Sequence, residues 1–169
     1  MYIRKAITAG AMAVLLSVGL TTAAAAKDLT IGYGSEPSSI DPHYHNLTPN
    51  NSMAAHIFSR LIEQDEKQNL TPGLAVSWKP VDDLTWEFKL RQGVKFHDGT
   101  DFSADDVKFS LDRARAENSL NAQKQLFAAI DKVEVVDPST VKITLTHPQG
   151  SFLYNMGWGD AVMVSPKSA

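Results

Sequence analysis

The sequence predicts a mixed α/β fold of the α+β kind, and three observations carry that expectation. Residues 84–90 (LTWEFKL) alternate cleanly, with Leu84, Trp86, Phe88 and Leu90 on one face and Thr85, Glu87 and Lys89 on the other. Residues 131–136 and 140–146 alternate on either side of Asp137-Pro138-Ser139, which reads as a β-hairpin. Between these strands Ser103-x-x-Asp106 opens a run with helical period.

The remaining elements follow in chain order. Residues 1–26 have a charged start at Arg4 and Lys5, an apolar stretch over about 6–20 and small residues ending at Ala24-Ala25-Ala26. That layout predicts a secretory signal peptide cleaved after Ala26. The apolar stretch is shorter than the roughly 20 residues of a spanning helix, and Gly10, Ser17 and Gly19 dilute it. Leu29, Ile31 and Tyr33 alternate, predicting a strand over 28–33, followed by a polar, proline-punctuated loop. Met53, Ile57 and Leu61 at i, i+4 and i+8 predict a helix over about 52–62, capped by Asn51 or Ser52.

Residues 63–80 read as connection dipping into a core through Leu70, Leu74, Val76 and Trp78, and Asp82-Asp83 as a turn. Val94 and Phe96 flank Lys95 in a short strand, and Asp98-Gly99 is a turn. Phe102 before the cap and Val107 at the fourth helical position form a hydrophobic staple, ahead of a helix over about 104–116. A second helix is expected over about 120–129, burying Leu120, Phe127 and Ile130. His147-Pro148 ends the hairpin, 150–159 is loop or short helix, and 161–164 one more strand.

Loss of Arg4 and Lys5 with the leader leaves 14 basic against 19 acidic residues, a net charge of −5. No basic run or basic–aromatic stripe points to nucleic acid. The chain has no cysteine, so an exported product must hold together by burial and has no lipid-bearing cysteine at its cleavage site. A free protein of the bacterial periplasm is expected, with about one domain in its 143 residues.

His97-Asp98 resembles a base and its orienter on paper, but adjacent residues of a strand point to opposite faces. No Gly-x-Ser-x-Gly elbow accompanies the pair, and no catalytic residue is assigned. His43, His45 and His56 lack the three or four convergent ligands of a metal site; no metal and no cofactor is expected.

The run W-x-F-x-L-R-x-G-V-K-F-H-D-G-x-x-F-S-A-x-D-V-x-F-S-x-x-R, from Trp86 to Arg113, strongly resembles the extracellular solute-binding proteins of family 5, the periplasmic components of peptide and nickel ABC importers. Asp101 stands where the family commonly has proline. Residues 35–42 resemble the family's first loop, 70–78 its L-A-x-x-W segment and 135–145 its hairpin; the glutathione- and dipeptide-binding members are nearest in flavour.

The resemblance implies part of a periplasmic binding protein-like II clamp. Residues 27–50 would start lobe I, 51–155 would form most of the extra domain II, and 156–169 would turn back into lobe I. It also implies a truncated, N-terminal portion that does not hold ligand tightly alone. The expected partners are a small peptide or similar solute and membrane-embedded permease subunits, with a monomeric protein. Tyr33, Ser35, Glu36 and Tyr44 are candidate ligand contacts because loops after a first strand border the cleft, and Trp158 because it stands between two glycines. An exported hydrolase and a stand-alone interaction domain are the alternatives; the first needs a convergent triad, which the sequence does not offer.

Overall fold

The computed structural model describes residues 28–44 and 46–169, so the expected leader and His45 lie outside the described residues. Residues up to Gly32 form one unit and Tyr33–Ala169 another. In the first, the predicted strand does not form: residues 28–32 carry no regular structure and Leu29 is 83% exposed. Alternation becomes a strand only where a partner completes the ladder.

The second unit is built on a four-stranded antiparallel sheet. In chain order its strands are β3 (Ala75–Pro80), β4 (Thr85–Leu90), β5 (Ile130–Asp137) and β6 (Thr140–Leu145), arranged β3-β4-β6-β5. A smaller hairpin pairs β1 (Ile62–Gln64) with β2 (Leu70–Pro72). The β4 alternation works as the sequence predicts: Phe88 and Leu90 are buried, Lys89 is exposed. Cross-strand register extends that inner face through Trp78, Val141, Ile143 and Val133. On the solvent face Lys79, Glu87, Lys142 and Glu134 stand in one row across all four strands, so opposite charges face each other.

The predicted capped helix is α2 (Ala104–Arg115). The Oγ of Ser103 accepts from the N–H of Asp105, and the N–H of Ser103 donates to Asp106 Oδ2 at 2.7 Å, closing the capping box. Phe102 and Val107 are both buried, as a staple requires. Val107, Leu111 and Ala114 face β5 and β6. Phe152, in the short helix α3 (Phe152–Asn155), meets Phe88 edge-on at 6.3 Å between ring centres.

Several sequence expectations shift. The helix foreseen at 52–62 is α1 (Thr48–Ala54), which begins earlier because Pro49 suits a first helical turn. It stops at Ala54, and the apolar pair Leu61-Ile62 turns into the core to start β1. Asn51 and Ser52 therefore lie inside the helix, and the N-cap is Leu47 without a side-chain bond. Residues 75–80, read as irregular, are the edge strand β3, with a bulge between Ala75 and Ser77 masking the period.

The helix foreseen at 120–129 shrinks to a single 3-10 turn, Lys124–Phe127. Phe127 is buried, Ile130 already belongs to β5, and Leu120 is 73% exposed rather than buried. The expected strands at 94–96 and 161–164 are reduced to single bridges, Lys95 with Asp101 and Arg60 with Val162.

Candidate functional site

The segment around His97 is a structural latch. Phe96 N–H donates to Thr100 O and Phe102 N–H to Val94 O, closing a tight loop whose turn needs the positive φ of +85° at Gly99. The Asp98 carboxylate accepts from the hydroxyls of Ser165 (2.6 Å), Thr100 (2.6 Å) and Ser168 (3.1 Å). The Ser165 hydroxyl foremost, then Thr100, holds this carboxyl well below the ordinary carboxylate range. Asp98 thus ties the loop to residues 165–168 and has no oxygen directed at His97, which is exposed.

Beside this latch is a cavity of about 280 Å³ floored by Phe58, Phe96, Phe102 and Met163. Of its polar lining groups, Asp98 accepts from Ser165 and Ser168, and Lys95 pairs with Asp101. It reads as a seam of the fold.

A second cavity, of about 260 Å³, has different chemistry. The loop at 41–44 and the C-terminal turn of α2 build it. Arg113 donates twice to the Asp41 carboxylate, at 3.1 and 2.6 Å, in a bidentate pair spanning 72 residues of sequence. The same guanidinium lies 2.8 Å from His43 Nδ1. An arginine only donates, so His43 accepts at Nδ1 and carries its proton on Nε2.

The ring is 3% exposed, and Nε2 faces the backbone of Asp160 and Val162 without a hydrogen bond of normal geometry. Burial first, then the charge of Arg113, pushes the imidazole down to about 4. Asp41 is held low chiefly by its bonds from Arg113. Asp160, 1% exposed and with both oxygens unpartnered, is pushed up to about 6 by burial. Tyr44, Asn118, Ser119 and Leu120 complete the cavity wall.

Of the sequence-derived candidates, Tyr44 lines this cavity. Tyr33, Ser35 and Glu36 are exposed on the preceding loop and do not line it. Trp158 is 48% exposed. Its neighbour Gly157 is small because Gln64 packs there: a Cβ at 157 would lie 2.9 Å from Gln64 Nε2.

The histidines do not converge, since His43 is committed to Arg113 and His56 is exposed; no metal-holding group of three is present among the described residues. Also among the described residues, no helix is long and apolar enough to cross a membrane. Sequence reasoning missed Arg113 and Leu120, and it named Tyr44 rather than Asp41 from the loop that carries both. Arg113 ended the motif quoted above, and an arginine in the last turn of an amphipathic helix was the available signal.

Comparison with known proteins gives a consistent picture. The family model for bacterial extracellular solute-binding proteins, family 5 (middle region), matches residues 69–165. The glutathione-binding protein GsiB of Escherichia coli K12 is 37% identical over 159 residues, covering 90% of this chain and 31% of GsiB. The chain therefore spans 31% of the length of the curated relatives it matches. The murein tripeptide-binding protein MppA of Escherichia coli superposes with a TM-score of 0.71 at 28% identity, over 79% of this chain and 30% of MppA. NikZ of Campylobacter jejuni, solved with Ni(L-His), superposes at 0.69 and 35% identity, over 79% of this chain and 26% of NikZ. These relatives are solute-binding proteins rather than enzymes.

Proposed function

The chain belongs to the bacterial extracellular solute-binding proteins of family 5, and from that membership we propose that it supplies one side of a ligand clamp in the periplasmic binding component of an ABC importer. The solute is a short peptide or peptide-like molecule. Residues 27–50 begin lobe I, 51–155 make domain II and 156–169 return to lobe I. Ligand closes the clamp by binding both sides, and the closed form docks on permease subunits in the membrane. The protein acts as a monomer in the periplasm after cleavage near Ala26. Tyr44 is the first of its ligand contacts, with Tyr33, Ser35, Glu36 and Trp158 as further ones.

The observation that carries this reading is the 37% identity to a glutathione-binding protein, sustained over 159 residues. The cavity beside Tyr44 supports it: about 260 Å³ is less than the roughly 300–1,000 Å³ of a complete small-molecule site. A single wall of a two-sided cleft has that size.

Calorimetric titration tests the proposal on two proteins: the chain itself, and GsiB with its matching stretch replaced by residues 28–165. The chimaera is expected to bind glutathione or a short peptide at micromolar concentration, and the chain alone to show no saturation in that range. Micromolar binding by the chain alone, or a folded chimaera that binds none of these solutes, would overturn it.

A further inference from the structure

We propose that the cavity beside Tyr44 seats one uncharged, apolar side chain of a peptide-like solute, and that Leu120 selects it. The inference rests on the solute-binding reading above and adds the chemistry of one subsite.

The charges at this cavity are already spent. Both oxygens of Asp41 accept from Arg113, and the same guanidinium reaches His43. A solute ammonium or carboxylate entering here meets a carboxylate and a guanidinium that already neutralise each other in a bidentate, charge-assisted pair, so it gains little net attraction. A neutral group needs no such attraction. The volume, about 260 Å³, suits a side chain rather than a whole dipeptide. The charged ends of the solute are therefore held by other parts of the cleft.

Leu120 is the exposed apolar side chain of this wall. The helix expected over 120–129 would bury it, yet only Lys124–Phe127 is helical and Leu120 stands 73% exposed. A lone exposed leucine is ordinary. Leu120 instead lines the same cavity as Tyr44, and Asn118 and Ser119 beside it offer hydrogen-bonding groups to a solute backbone. Covering Leu120 with an apolar side chain removes surface from water on both partners.

The test is an amide chemical-shift titration of the isotopically labelled whole chain with millimolar glycyl-leucine, glycyl-aspartate, glycyl-lysine and glutathione. Glycyl-leucine is expected to shift Tyr44 and residues 118–120 with an affinity about tenfold above that of the two charged dipeptides. Leu120→Ala should weaken glycyl-leucine several-fold, and Leu120→Asp should turn the preference toward glycyl-lysine. Because Leu120 is exposed, both variants should keep the parent melting temperature.

Shifts at 118–120 that ignore side-chain charge would overturn the selectivity. Shifts confined to other residues would overturn the inference and leave the solute-binding reading standing. Absence of any shift would also overturn it, while the chimaera decides the broader reading independently.

Discussion

Replacing Asp160 with asparagine exposes two buried titrations that oppose each other. His43 has an ordinary pKa of 6.5 that falls to about 4 in the fold, so between those values the unfolded chain holds the extra proton. Its contribution is complete above 6.5 and is lost as pH falls toward 4. Asp160 moves from 3.8 to about 6, so between those values the folded chain holds the extra proton. Its contribution is complete below 3.8 and is lost as pH rises toward 6.

At about 1.4 kcal/mol per pH unit for one proton, each group is worth about 3 kcal/mol across its window. Both side chains are nearly inaccessible, at 3% and 1% exposure, so solvent screening discounts little. Between pH 4 and 6 the slopes cancel in the parent. Asp160→Asn should unmask His43, with stability falling about 2–3 kcal/mol from pH 6.5 to 4. His43→Gln should unmask Asp160, with stability falling by a similar amount from pH 4 to 6.

Urea unfolding followed by tryptophan fluorescence at half-unit pH steps reads these slopes. The other carboxylates are common to all three proteins and drop out of the differences. Parallel curves for the parent and Asp160→Asn across pH 4–6 would refute the reasoning.

Other perturbations test separate parts of the structure. Ser103→Ala removes the hydroxyl of the capping box and should cost about 1 kcal/mol in urea unfolding. Gly73→Ala puts a Cβ 2.5 Å from the carbonyl oxygen of Arg60 and 3.1 Å from that of Leu61, both backbone; about 1–3 kcal/mol should be lost, read as a lower melting temperature. Arg113→Ala frees the loop at 41–44 and should cost about 1–2 kcal/mol, discounted because Asp41 is partly exposed, with faster hydrogen exchange confined first to that loop. Asp98→Ala releases the hydroxyls of Ser165 and Ser168 and should speed proteolytic cleavage within residues 165–168 while leaving the melt of the sheet in place.

The parts of the fold legible in the sequence are those whose signal is local. The hairpin of β5 and β6, the strand β4 and the cap of α2 each depend on neighbours within a few residues, so period and capping chemistry suffice. The misplaced elements were decided by distant contacts. Leu61 continues the helical spacing of Met53 and Ile57, yet it joins the sheet core because β1 pairs with β2. Leu120 has the spacing of a core residue in a helix over 120–129 and is exposed because only Lys124–Phe127 forms there, as a single 3-10 turn. The candidate cavity was legible only in part: Tyr44 follows from its loop, but Arg113 reaches Asp41 across 72 residues, and no pattern within one segment encodes that pairing.

The His97-Asp98 segment shows how a scaffold differs from a catalytic site in the same residue types. A general base needs an acceptor poised near neutral pH and within reach of a reacting proton. The Asp98 oxygens are instead saturated by hydroxyl and backbone donors, which lowers their basicity and spends their geometry. Asp41 is saturated in the same way by Arg113. Asp160, displaced toward neutral pH, and His43, displaced away from it, are both sealed from solvent, and His43 uses Nδ1 to accept from Arg113. What such a wall leaves for a visitor is a neutral surface, Tyr44 and Leu120 among amides and a hydroxyl. Under the proposed reading such a surface would hold a solute by contact and leave its bonds intact, as a carrier requires of one side of its cleft.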